Sequence, residues 1–170
     1  APGPRQRGAA GGGAEEGSPP TTVMLRNLPC NYRRAMLLEL LNRRGFAGRY
    51  DFVYLPHCFQ THVSLGYAFV NFATHADACL AHGRFAGFNA WCIPSGKVCE
   101  AAWCNSDQQG LRANVERYRN SSVMHPSVKE EFRPVKLLEG KLVRFPPPTR
   151  KVWPPHANFG VRARAKAHSA

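Results

Sequence analysis

At 170 residues with a net charge of +12, the chain is long enough for one ordinary domain with tails, and its charge calls for an anionic partner. No apolar run is long enough to cross a bilayer and no signal-peptide core stands at the start, so nucleic acid leads over a membrane surface. Six cysteines without a single C-x-x-C pair argue against a zinc ribbon and for a reducing compartment, nuclear or cytoplasmic. A first residue of Ala1 rather than Met fits a fragment or a processed product.

Residues 1–20 are Ala, Gly, Pro and balanced charge without apolar periodicity, and are expected to be disordered. Order is expected from Thr22. Val23–Leu28 reads as a short strand stopped by Pro29, with Val23 and Leu25 toward a core and Met24 and Arg26 outward. Arg33–Arg44 reads as a helix, because Met36, Leu37, Leu40 and Leu41 form an i, i+3, i+4 stripe and Gly45 ends it. Arg49–Leu55 is aromatic and β-branched, a second strand stopped by Pro56, with Tyr54 assigned outward. The loop 57–64 holds His57, Cys58 and His62, but no fourth ligand stands at a fixed spacing, so no metal is expected there.

Leu65–Phe72 alternates as a strand does. Gly66, Ala68, Val70 and Phe72 fall on one face; Leu65, Tyr67, Phe69 and Asn71 fall on the other. Two rings two residues apart suit stacked bases. Thr74-His75-Ala76-Asp77 has the form of a capping box opening a helix to about Phe85, with Ala78, Cys79 and His82 lining its inner side. Gly87–Trp91 is extended, Pro94–Gly96 is a turn, and Val98–Cys104 is a fourth strand. With Ala101 and Trp103 facing the core, Ala102 shares the face of Tyr67 and Phe69. This order predicts an α+β, ferredoxin-like βαββαβ fold, a four-stranded antiparallel sheet with two helices on one face.

Ser106–Gln109 looks like a further capping box, and Leu111, Val115 and Tyr118 at helical spacing predict a C-terminal third helix of about four turns to Arg119. Phe132–Leu138 reads as an added extended segment. From Gly140 the chain is Pro-rich and carries seven basic residues and no acid, and is expected to be a disordered or polyproline-like tail. The chain thus divides into a disordered segment 1–20, a folded module 21–105, its helical extension 106–139 and a basic tail 140–170.

The octet Leu65–Phe72 resembles the RNP1 motif of the RNA recognition motif, with Leu65 in place of the usual Lys or Arg, and Val23–Leu28 resembles RNP2, with Met24 where an aromatic is usual. Together with Tyr50–Pro56, the isolated Trp91, Gln109-Gly110 and Asn120–Met124, these motifs resemble the C-terminal RNA recognition motif of the Mei-two-like proteins, regulators of meiosis and development. The resemblance spans about residues 21–140. It implies single-stranded RNA as the partner and a third helix as part of the module.

On that basis Tyr67 and Phe69 are expected to stack bases beside Met24, with Tyr54 and Ala102 on the same face. Arg26 and Asn71 are expected to hydrogen-bond bases or backbone, and Arg49 and Lys97 to meet phosphates, while the tail adds salt-sensitive affinity. The rival reading is a protein-interaction module of the same fold, its sheet covered by the third helix or by a partner. An enzyme is not expected: there is no Gly-rich phosphate loop, and no Cys and His pair stands in a setting that argues for an activated thiolate. No cofactor is expected, the chain is read as a monomer, and protein partners are assigned to the third helix or the Pro-rich tail.

Overall fold

The structure, a computed structural model, describes residues 17–156. The disorder expected of 1–20 and of the end of the tail therefore falls largely outside the described residues. Six strands form one antiparallel sheet: β1 (Thr22–Arg26), β2 (Tyr50–Tyr54), β3 (Tyr67–Phe72), β4 (Glu100–Trp103), β5 (Val135–Leu138) and β6 (Lys141–Val143). Their order is β4-β1-β3-β2-β5-β6, which puts β1 and β3 at the centre of the first four. Helices α1 (Arg34–Leu41) and α2 (His75–Phe85) cover one face, and α3 (Leu111–Arg119) lies against the other.

The first core lies between the sheet and α1 and α2. Val23 and Leu25 of β1, Ala68, Val70 and Phe72 of β3, and Leu37, Leu40 and Leu41 of α1 fill it. These are the positions that alternation and the helical stripe place inward, because period 2 and period 3.6 each turn one apolar set toward the same layer. Thr74 caps α2 by accepting from the Asp77 N–H at 3.1 Å, as its capping box requires. Helix α1 ends earlier than its sequence suggests. Residues 42–46 form one wide turn with Gly45 at φ 94°, which drops Phe46 onto Phe72 and Phe85 at centroid distances of 5.4 and 5.8 Å.

Gly66 marks the kink before β3. Its φ is 84°, a left-handed backbone conformation that a side chain would strain, which explains the glycine of the octet. Leu28 N–H donates to the Gly66 carbonyl at 2.9 Å, so the kink ties the end of the first motif to the start of the second.

The expected four-stranded sheet is extended at its β2 edge by two further strands. Phe52 and Val53 of β2 pair with Lys136 and Val135, so the extended segment foreseen near 132–138 takes the free edge of β2. Glu139 (φ 49°) and Gly140 (φ 79°) then make a two-residue hairpin into β6. This corrects the boundary at 140. Residues 141–143 are a strand, and the chain beyond it folds back onto α3.

The third helix also differs from expectation. Ser106–Gln108 is a separate 3-10 turn and α3 begins only at Leu111. The reason is Gln109, whose side chain fills the fork between β1 and β4. Its Oε1 accepts from the N–H of Thr21 and of Thr22 at 2.9 and 2.8 Å, and its Nε2 donates to the carbonyls of Thr22 and Cys104 at 3.0 and 2.9 Å. Held extended, Gln109 cannot continue a helix, and Gly110 at φ 89° turns the chain onto the sheet.

Candidate nucleic-acid interface

The strand register fixes which side chains share the face opposite α1 and α2. Met24 pairs with Phe69 and with Ala102, Phe69 pairs with Tyr54, and Arg26 pairs with Tyr67, so all six lie on one surface with Phe52 beside them. Sequence alternation alone places Met24, Tyr67, Phe69 and Ala102 together there. Tyr54 joins them because a bulge at Asp51 resets the register of β2 against β3.

This face is not open. Tyr67 is 5% exposed and Phe69 8%. Met24, Phe52, Tyr54, Tyr67 and Phe69 form a second apolar core with Tyr118 of α3 and with Val123, Val128 and Phe132 of the segment that follows it. The Tyr118 ring lies nearly parallel to Phe52, 19° between planes at 5.7 Å, and 4.7 Å from Tyr54. It occupies the kind of position that a stacked base takes on an aromatic strand. Burial pushes the Tyr118 hydroxyl up to about 12 and lifts Tyr54 well above the ordinary tyrosine value.

Polar contacts fasten the cover at both ends. At its start, Asn114 Nδ2 donates to Thr22 Oγ1 at 3.2 Å and to the Gly110 carbonyl at 2.8 Å, while Asn114 Oδ1 is buried without a hydrogen-bond partner. At its end, Arg119 donates from Nε and Nη2 to the Pro147 carbonyl at 3.0 and 2.7 Å, and Asn120 exchanges two 2.9 Å hydrogen bonds with Thr149. Between them Phe145 packs toward Phe52. Farther along, the Arg34 guanidinium, nearly buried, donates from Nη1 to the carbonyls of Glu130 and Arg133 and from Nη2 to both oxygens of the Glu130 carboxylate, so α1 also holds the covering segment.

Several expected contact residues are engaged elsewhere. Asn71 is buried: its Oδ1 accepts from the hydroxyls of Thr21 and Thr22 at 2.8 Å each, and its Nδ2 donates to Asp51 at 2.7 Å. It is therefore a clamp between strand ends and offers no group to a base in this arrangement. Burial raises the Asp51 carboxyl, and the bond from Asn71 opposes that rise. Lys97 lies at the far end of β1, its Nζ 3.2 Å from the Leu28 carbonyl. Arg49 pairs with Asp77 at 3.1 Å. Arg26, half-buried, and Ala102 stay at the rim of the face near β4.

The structure corrects the expectation that Cys79 lines the inner side of α2, because its side chain is exposed. Helix α2 brings Cys79 Sγ to 3.2 Å from His75 Nε2, while His75 Nδ1 lies 2.7 Å from the Pro20 carbonyl, an i, i+4 pairing on the side away from the aromatic face. Trp103 lies across His82 and His75 of the same helix. Among the described residues no group of three or more His, Cys, Asp or Glu is placed to hold a metal.

Residues 20–119 match the family profile described as RNA recognition motif 2. The chain is 35% identical over 107 residues to Protein MEI2-like 3 of Arabidopsis thaliana, covering 63% of this chain and 14% of that protein. It is 33% identical over 105 residues to Meiosis protein mei2 of Schizosaccharomyces pombe, covering 61% of this chain and 14% of that protein. Among solved structures, the RNA15 RRM aligns with a TM-score of 0.45 at 19% identity, over 53% of this chain and 95% of the other. The chain thus spans about one seventh of the length of the curated relatives named here.

Proposed function

Since the chain belongs to the RNA recognition motif 2 family, we propose that it binds single-stranded RNA through the aromatic face of β1, β2 and β3 once the covering segment lifts. The observation that carries this reading is the stacked Tyr118 ring, which lies on that face as an internal substitute for a base. Tyr67 and Phe69 are the stacking residues, Met24 and Tyr54 flank them, and Arg26 at the rim meets base edges or phosphate. The module is a binding protein and not an enzyme. Its process is post-transcriptional control in meiosis or development, a reading supported by its likeness to a relative named Meiosis protein mei2. Its place is the nucleus or cytoplasm; among the described residues no helix is long and apolar enough to cross a membrane.

Photo-crosslinking of the full chain to a random single-stranded RNA pool, with the attached peptides mapped, tests the proposal. Crosslinks at Tyr67 and Phe69 are expected. RNA bound with crosslinks confined to other surfaces would overturn the sheet-face mechanism.

A second reading has its own observation. The burial of Tyr67 and Phe69 under the chain's own residues supports a protein-interaction module whose sheet stays closed and whose partners meet α3 or the Pro-rich segment. A folded chain with no affinity for RNA in the same assay would favour it.

A further inference from the structure

We propose that the segment 144–153, which fastens the cover, is itself a single-stranded RNA contact that stays open while the sheet face is closed. The inference rests on RNA as the partner of this chain and adds a second site outside the residues that match the family. Beyond β6 the chain runs Arg144-Phe145-Pro146-Pro147-Pro148-Thr149-Arg150-Lys151-Val152-Trp153. Its middle is anchored, because the Pro147 carbonyl accepts twice from Arg119 and Thr149 is paired with Asn120. Its end is pre-set, because Pro154 follows Trp153 and restricts the tryptophan's backbone to extended conformations.

On this anchored base Trp153 is 65% exposed, against 5% for Tyr67. Lys151 Nζ lies 4.2 Å from the centre of its ring, and Arg144 and Arg150 are exposed. None of the ion pairs among the described residues uses Arg144, Arg150 or Lys151, and no acid occurs between 140 and 170. An exposed indole with cations outside any ion pair two and three residues before it has the two elements of sequence-tolerant single-strand binding. A base stacks on the ring, and neighbouring phosphates meet the cations. Charge selects an anionic partner, and the flat exposed ring selects an unpaired base over an acidic peptide.

The test measures fluorescence anisotropy of a labelled random 12-nucleotide RNA with the full chain and with Trp153→Ala and Arg150→Ala/Lys151→Ala, each checked by circular dichroism. Because these side chains are exposed, the variants keep the fold. Trp153→Ala is expected to weaken binding about tenfold. The double variant is expected to lower the slope of log affinity against log salt by about 1.4, the release of counterions from two single-strand phosphates. Wild-type binding with both variants unchanged overturns this inference and leaves the sheet-face reading standing. A wild-type chain that binds no RNA defeats both. Poly-glutamate competing as well as unlabelled RNA at equal charge overturns the stacking role of Trp153.

Discussion

Replacing Tyr118 by Ala is expected to loosen the cover over the sheet and so to tighten RNA binding. Tyr118 contributes its ring to Phe52 and Tyr54 and is 8% exposed, so it is the central side chain that α3 lays on the sheet. Truncating a large aromatic in a full core costs about 3 to 5 kcal/mol. Here one side of the ring meets the sheet and the Arg117 guanidinium lies 6.0 Å from the ring centre, so about 2 to 3 kcal/mol is taken for the cover. While the uncovered form is a minor population, that loss raises it roughly 30-fold to 150-fold, and the apparent dissociation constant falls by the same factor. Anisotropy with single-stranded RNA reads the affinity, and urea unfolding reads the lost stability. Tyr118→Phe keeps the ring and is expected to stay within about 1 kcal/mol of the parent and to bind RNA as the parent does. A Tyr118→Ala variant that folds, has lost the stability and binds RNA no more tightly than the parent would refute the idea that the cover competes with RNA.

Three further outcomes follow from contacts away from the aromatic rings. Arg34→Ala should cost about 2 to 3 kcal/mol in urea unfolding, because the nearly buried guanidinium leaves the Glu130 and Arg133 carbonyls without their donor, whereas Glu130→Gln should cost less since that carboxylate is largely exposed. Gln109→Glu should destabilise more than Gln109→Ala, since a carboxylate would face the carbonyl oxygens of Thr22 and Cys104 that the amide now satisfies; equal melting temperatures for the two would contradict this. Burial, the largest cause, holds the His57 imidazole below the usual histidine value, beside Phe132 at 4.6 Å. The unfolded chain therefore takes up that proton first. Stability should fall as pH drops from the unfolded value, about 6.5, toward the lower folded one. His57→Gln should flatten that part of a stability profile measured by thermal unfolding.

The sheet and its first core were legible in the sequence because each is a local pattern. Alternation in Val23–Leu28 and Leu65–Phe72, the stripe of α1 and the capping box of α2 each turn one set of side chains inward, and period alone decides which set that is. The same alternation put Met24, Tyr67 and Phe69 on one surface. Pairing of β1 with β3, which makes that surface continuous, follows once the order of elements is known.

What the tertiary structure decided is whether that surface is bare. Tyr118, Val123, Val128 and Phe132 reach it from a segment whose own periodicity says only that it has an apolar side, and no local rule names the surface an apolar side will meet. Gln109 reads as the start of a helix until the fork between β1 and β4 is seen to need two acceptor contacts and two donors that one amide supplies. Asn71, which alternation turns toward a ligand, is consumed by Thr21, Thr22 and Asp51, partners distant in sequence. The Glu139-Gly140 hairpin was hidden because a Glu at positive φ is rare, and only the free edge of β2 and the anchoring of residues 145–149 on α3 make it worth adopting. Sequence alone thus determined which residues share the aromatic face, because backbone geometry repeats locally. Only the folded chain decided that the face is closed and that Trp153 lies outside it, because burial depends on what the rest of the chain brings to the same place.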